Sequence, residues 1–260
     1  MASGTNGVAT ADLKVAVTDH VATVEINRPP NNFFDLDLIR SLADAFDELG
    51  SGSEARVIVL RSAGRHFCAG AAHTPGSSGP GDPTELYAEA VRLFRAPLPV
   101  VAAIQGASVG GGLGLAMMAD FRIAAPEARF TANFALLGFH HGFGLSVTLP
   151  RVVGPQAAQE MLYTGKRIDA EAALAIGLVD RVVPAAELER AAHDIATEIA
   201  TAAPLAVRSI RRTLREQLAN EVSAALRREA VEQVRLMGTD DFREGLAAVS
   251  ERRPGQFSGR

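Results

Sequence analysis

The sequence predicts an α/β chain, with a strand–strand–helix pattern through its first two-thirds and a mostly helical last third. Three observations carry this expectation. Short apolar runs bounded by Gly, Pro, Asn and Asp alternate with stretches of helical spacing up to Pro155. Beyond Pro155 helical spacing dominates, broken by one strand-like run, GLVDRVV (177–183). The 260 residues are 47% apolar and 5% aromatic, enough to build the core of one globular domain.

Residues 13–27 alternate and turn at Asp19-His20, which reads as a hairpin. Residues 28–35, RPPNNFFD, form a loop, since two prolines remove two backbone donors. Leu38, Ile39, Leu42, Phe46 and Leu49 recur at helical spacing, and Gly50 reads as the stop. A buried strand follows at 55–62, then a long Gly/Ser/Pro loop at 63–83, of a length that is usually functional. A helix is expected at 84–95, a strand ending at Gln105, and a helix opened by the glycines at 110–112. DFRIAAPEARFTAN (120–133) supplies two short strands around Ala125-Pro126, and 134–154 is mixed. Helices are then expected at 155–163, 169–176, 185–201, 204–219, 221–236 and 240–251.

Lys and Arg number 26 against 30 Asp and Glu, so no basic excess points to nucleic acid. A lone cysteine, Cys68, forms no disulfide within the chain, which suits a reducing compartment. No apolar run reaches membrane-span length. MASGTNGVATAD has no signal-peptide pattern and reads as a disordered tail (1–12). The expectation is a cytoplasmic protein.

The stretch SVGGGLGLAMMAD (108–120) places three glycines between a strand and a helix. A dinucleotide fingerprint fails because Met117 stands where its third glycine is needed, and a phosphate loop fails for want of Lys-Ser or Lys-Thr. A nucleotide-dependent oxidoreductase is thereby excluded. Bare backbone at a helix start can still hold a developing oxyanion. A second small-residue loop, RHFCAGAA (65–72), also follows a strand.

This pair of loops resembles that of the crotonase superfamily, the enoyl-CoA hydratase/isomerase family. TGKRIDAEAALAIGLVDRVVP (164–184) and the C-terminal DFREGLAAVSERRPGQFSGR (241–260) resemble it too, so the resemblance runs from residue 13 to 260. It implies a repeated ββα spiral core over 13–200 and a C-terminal helical trimerisation region over 201–260. It implies an acyl-CoA thioester as substrate, no cofactor beyond that coenzyme A, no metal, no membrane, and a homotrimer or hexamer. The oxyanion donors would be the backbone N–H groups of Ala71 and Gly111. Ala69, Ala72, His73, Gly110, Gly114, Asn133 and Phe134 would line the substrate, and Phe257 and Arg260 would reach coenzyme A, often that of a neighbouring subunit.

Both glutamates of the family's hydratases are missing. Gly114 and Phe134 occupy their positions, and Leu145 stands where some members carry an aspartate. The remaining groups able to move a proton are His140 and His141, with His73 after them. The plain alternative for each is a structural histidine in a Gly-rich turn. Cys68 reads as packing, Asp120 as a local cap or pair, and Arg65 and His66 as surface contacts. The basic run 208–218 reads as a solvated helix face, or else as a contact for coenzyme A phosphates. Two functions stay open: an acyl-CoA-processing enzyme with a noncanonical acid/base (hydratase, isomerase, hydrolase or C–C lyase), and an acyl-CoA-binding protein without efficient turnover.

Overall fold

A computed structural model describes residues 11–52, 54–71 and 82–260. Most of the expected tail, and Ala72 and His73, lie outside the described residues. β1 (Leu13–Thr18) and β2 (Val21–Ile26) form the hairpin, with Val15 opposite Val24. Its two-residue turn has φ of 49° at Asp19 and 68° at His20, the left-handed pair that matches strand twist. α1 (Leu36–Ser51) starts where Asp35 accepts the Leu38 N–H at 2.9 Å. It passes through Gly50, correcting the expected stop. A Cβ there would lie 1.8 Å from Pro97, so this glycine admits a packing neighbour.

β3 (Val57–Ser62), α2 (Thr84–Phe94) and β4 (Val100–Ile104) follow as expected. β5 (Ala107–Val109) was not foreseen; α3 (Gly111–Met117), β6 (Phe121–Ala124) and β7 (Arg129–Thr131) come next. α4 (Leu145–Val153) emerges from the mixed stretch, followed by α5 (Pro155–Thr164), β8 (Ile168–Asp169) and α6 (Ala170–Ala175). The strand expected at 177–183 contracts to β9 (Arg181–Val182). α7 (Leu188–Thr201), α8 (Pro204–Met237) and α9 (Asp240–Glu251) complete the chain. The two helices expected at 204–219 and 221–236 are one 34-residue helix, about 50 Å long. Asn220 does not interrupt it, because Leu218, Ala219 and Val222 on either side are buried in the main core.

Six strands order as β1-β2-β3-β4-β6-β9, parallel from β2 onward, and a second sheet orders as β5-β7-β8. Successive strand pairs split between the sheets: β4 and β6 join the large one, β5 and β7 the small one. The large sheet is covered on both faces. Ile58 and Leu60 of β3 face the core that α1, α2 and α8 share, while Val57 and Val59 face α7. That double coverage explains why β3 and β4 are apolar without alternation.

The basic run is not a solvated face throughout. Arg211 is 7% exposed; its Nε donates to Asp120 at 2.8 Å, and its guanidinium also reaches the Ala96 carbonyl. Arg208 donates to the Gly50 carbonyl at 2.6 Å and Arg215 to that of Met118. Asp120 also accepts the Val100 N–H at 2.8 Å. This residue ties α8 to the start of β4, a longer-range role than a local cap.

Candidate active site

The two small-residue loops meet because the first pairs with β5. Cys68 donates to the Ala107 carbonyl at 3.0 Å, and Val109 donates to Cys68 at 3.0 Å. The bridge is parallel, with Cys68 opposite Ser108. Ala71 and Gly111 each lie three residues beyond this bridge, on the two segments it joins. Among the described residues, neither amide donates to a backbone carbonyl. Gly111 opens α3, where the first N–H groups have no helical partner.

Backbone geometry explains the glycines. Gly110 has φ 55° and ψ −119°, a conformation glycine alone adopts easily. A Cβ on Gly112 would lie 2.2 Å from the Cys68 carbonyl oxygen, so this residue must be bare for the loops to approach. His66, expected at the surface, is half-buried, and its Nδ1 accepts the Ala107 N–H at 3.0 Å, holding the start of β5. Burial beside Arg65 pushes its pKa down. Cys68 is fully buried, and burial pushes its thiol up to about 12, so it packs and does not attack.

Aromatic rings surround the turn in two groups. Phe34 lies against Gly111 and packs edge-on to Phe143 at 5.4 Å, with Tyr87 and Phe94 behind. Phe143 fills the space beside Gly114, where a Cβ would be 2.4 Å from its own. On the other side Phe134 faces Gly110 and packs at a tilt on Phe139 at 5.5 Å, which packs edge-on to Phe242 at 5.2 Å. Asn133 Oδ1 also faces Gly110.

His140 and His141 sit between Phe139 and Phe143, one from each group, and their rings stack at 4.1 Å. His140 Nδ1 bonds the His141 carbonyl at 2.7 Å, and His141 Nε2 bonds Ser146 Oγ at 2.8 Å. Burial, then the neighbouring His140, pushes His141 down to about 4, which leaves it neutral at pH 7. Behind them stands Glu229 of α8, which the sequence reading did not find. It has no exposed surface and accepts from the Gly144 N–H (2.9 Å), the Ser146 N–H (3.0 Å) and Ser146 Oγ (2.5 Å). Gln233, one turn on, donates to the His140 carbonyl at 2.9 Å and accepts from Tyr87 at 2.9 Å. The carboxylates of α9 are occupied elsewhere: Glu244 by Arg253 and Asp240 by Arg243.

Phe257 is partly exposed, and the Arg260 carbonyl accepts the Asp241 N–H at 3.1 Å, so the tail folds back on the start of α9. A cavity of about 450 Å³ lies elsewhere, lined by Phe94, Pro97, Arg208, Arg211, Arg212 and Arg215. It sits at the N-terminal end of β4, whereas the two loops follow its C-terminal end. A five-residue strand, about 16 Å, separates the two ends.

A split two-sheet α/β fold with C-terminal helices is the architecture of the crotonase superfamily. The family model for enoyl-CoA hydratase/isomerase matches residues 17–260, and the chain belongs to that family. A crotonyl-CoA hydratase of Syntrophomonas wolfei is 34% identical over 247 residues, 92% of this chain and 95% of its own. A carnitinyl-CoA dehydratase of Proteus mirabilis is 32% identical over 257 residues, covering 95% and 98%. Among solved structures, an enoyl-CoA hydratase/isomerase of Pseudoalteromonas atlantica superposes with a TM-score of 0.86 at 29% identity over 95% of this chain and all of its own. An enoyl-CoA hydratase of Mycobacterium avium subsp. paratuberculosis gives 0.84 at 31% identity, covering 96% and 100%. Among the described residues no helix is long and apolar enough to cross a membrane.

Proposed function

We propose that the chain processes acyl-CoA thioesters by stabilising an enolate between the Ala71 and Gly111 amides, with His141 moving the proton. The bridge that joins the two small-residue loops at Cys68 and Ser108, three residues before Ala71 and Gly111, is the observation that supports this reading. A base removes the α-proton, the electron pair passes to the thioester oxygen, and the two N–H groups hold the resulting charge. One such donor contributes on the order of 3–4 kcal/mol to the transition state. His141 is neutral and half-buried, so it can accept a proton at neutral pH. Phe134, Asn133, Gly110 and Ala69 border the acyl group in this reading, and Phe257 and Arg260 reach coenzyme A. No cofactor other than that coenzyme A is required.

Phe143 supports a second reading. Its ring fills the space beside Gly114, where the resemblance places a hydratase glutamate, and Phe134 adds a second apolar ring beside Gly110. A binding protein without efficient turnover would have this site. Incubation with butyryl-CoA in D2O decides between them. Deuterium entering at Cα establishes enolate formation. Tight binding with no exchange establishes the binding protein. The exposed Leu205, Ile210 and Leu214 of α8 support assembly as a homotrimer or hexamer, and the cytoplasm is the proposed compartment.

A further inference from the structure

We infer that Glu229 and Ser146 are positioning residues that hold His141 in its Nε2–H tautomer, leaving Nδ1 as the proton acceptor of the site. The inference deepens the proposed enolate chemistry and rests on that reading for its catalytic meaning. The proton placement itself follows from the hydrogen-bond partners together with an ionised Glu229.

The chain of donors has one consistent direction. Glu229 Oε2 takes the Gly144 N–H and Oε1 takes the Ser146 N–H, and a backbone N–H can only donate. Each oxygen therefore accepts one backbone N–H, and these bonds with that of Ser146 favour the ionised carboxylate against the burial that opposes it. Ser146 Oγ lies 2.5 Å from Oε1, within the short range of an O–H···O⁻ bond, shorter than a neutral hydroxyl contact. The single hydroxyl proton of Ser146 is thus committed to Glu229. At 2.8 Å, Oγ can then only accept from His141, so Nε2 carries the hydrogen. A neutral imidazole protonated at Nε2 is an acceptor at Nδ1.

Its neighbour is set the opposite way. His140 Nδ1 faces a carbonyl oxygen, which only accepts, so His140 is protonated at Nδ1. Two stacked imidazoles therefore present opposite nitrogens as bases. Gln233 and Glu229, four residues apart on one face of α8, hold the loop carrying both from behind. Ser146 itself is exposed, so the relay runs from a fully buried carboxylate to a rim open to ligand. Ser146 is not primed as a nucleophile toward His141, because its proton points to Glu229 and away from the imidazole.

The test is a ¹⁵N–¹H long-range imidazole spectrum of histidine-labelled protein at pH 7, with no thioester present. The chain has 6 histidines, and His141→Gln assigns the signal. The expected wild-type pattern is neutral with hydrogen on Nε2. Ser146→Ala and Glu229→Gln should convert it to a mixture of tautomers, and Ser146→Thr, which keeps the hydroxyl, should restore it. An Nδ1–H pattern in the wild type overturns the inference. So does an Nε2–H pattern that survives both variants. Cα deuterium exchange of butyryl-CoA then reads the consequence. Ser146→Ala and Glu229→Gln should slow it roughly 10²-fold or more at unchanged thioester affinity, since the wrong tautomer removes the base. Equal rates in wild type and both variants overturn the catalytic part. A covalent acyl adduct on Ser146 in an intact mass spectrum overturns it as well. If the spectrum is as expected and wild type exchanges nothing, the proposed function fails while the tautomer assignment stands.

Discussion

Burial gives His141 a different pH window from that of an ordinary imidazole. An unperturbed histidine base would lose activity as pH falls through about 6.5. At about 4, owing first to burial and then to His140, His141 stays neutral down to pH 5. The expected pH–rate profile for thioester α-exchange is therefore flat from pH 8 to about 5 and falls below. A midpoint near 6.5 would remove His141 as the base. The same shift has a stability sign. Between about pH 4 and 6.5 the unfolded chain binds a proton here that the folded chain does not. The contribution of neutral His141 is thus complete above 6.5 and lost as pH falls toward 4. Glu229 works the opposite way, since burial raises its carboxyl and protonation favours the folded state. Urea titrations at pH 5 and pH 7 should show His141→Gln losing less stability on acidification than wild type. Gly114 gives a second expectation at this scale. A methyl there meets the Phe143 Cβ at 2.4 Å inside a packed core. Gly114→Ala should cost about 1–3 kcal/mol by overpacking, read as a lower urea midpoint. An unchanged midpoint would mean that Phe143 moves aside freely.

Elements with a clear period were legible, and those created by pairing were not. The hairpin follows from alternation, α1 and α2 from helical spacing, and β3 and β4 from unbroken apolar runs, each within its own residues. β5 and β8 hold three and two residues, too few to show a period, and exist because β7 lies between them. α4 was hidden by its flanking glycines and by Pro150 inside it. The length of α8 was missed because Asn220 resembles a break and its buried residues are spread along 34 positions. The arginines of its first half show what anchors it. Asp120 faces both Arg211 and Arg215, and Arg122 lies near, so one carboxylate serves several buried cations. Arg215 is pushed down by burial, with Asp120 opposing. Asp120→Asn would leave those guanidiniums without their counter-charge and also weaken the acceptor for Val100. The expected loss is about 3–5 kcal/mol, the range for a buried pair broken from one side. Arg211→Met should cost less, because it removes a buried charge along with the bond. Denaturant midpoints of the two variants measure the difference, and the reverse order would mean that Asp120 contributes little to anchoring α8.

Across the whole molecule, the two small-residue loops were legible in the sequence, and the hydrogen-bond network behind His141 was not. Ala71 and Gly111 are announced by small residues beside strands, a local signal. Glu229 bonds residues 83 and 85 positions away, so nothing near it in sequence marks it as buried or as a partner of Ser146. The fold brings them together by laying the second half of α8 behind the loop that starts α4. A consequence is that ligand binding and global stability are linked. In the proposed function, a thioester held by the Ala71 and Gly111 amides would rest on β5 and α3. α3 is packed on Phe143, and the loop bearing Phe143 is pinned by Glu229 and Gln233 of α8. A ligand that binds only the folded chain stabilises it by about 2.7 kcal/mol at a hundred times its dissociation constant. For a chain of this size that corresponds to a melting-temperature rise of roughly 5–10 °C. Butyryl-CoA or crotonyl-CoA should produce that rise, and free coenzyme A a smaller one, since it lacks the carbonyl that the amides hold. Crotonyl-CoA hydration should nonetheless run about 10²–10⁴-fold slower than in a hydratase with two glutamates, because Gly114 and Phe134 supply neither acid nor base. Melting curves with the three ligands, paired with the loss of crotonyl absorbance, separate the two effects. Equal shifts for free coenzyme A and its thioesters would show that the carbonyl is not held. Hydration at hundreds of turnovers per second would show that another group supplies the acid–base chemistry assigned to those missing carboxylates.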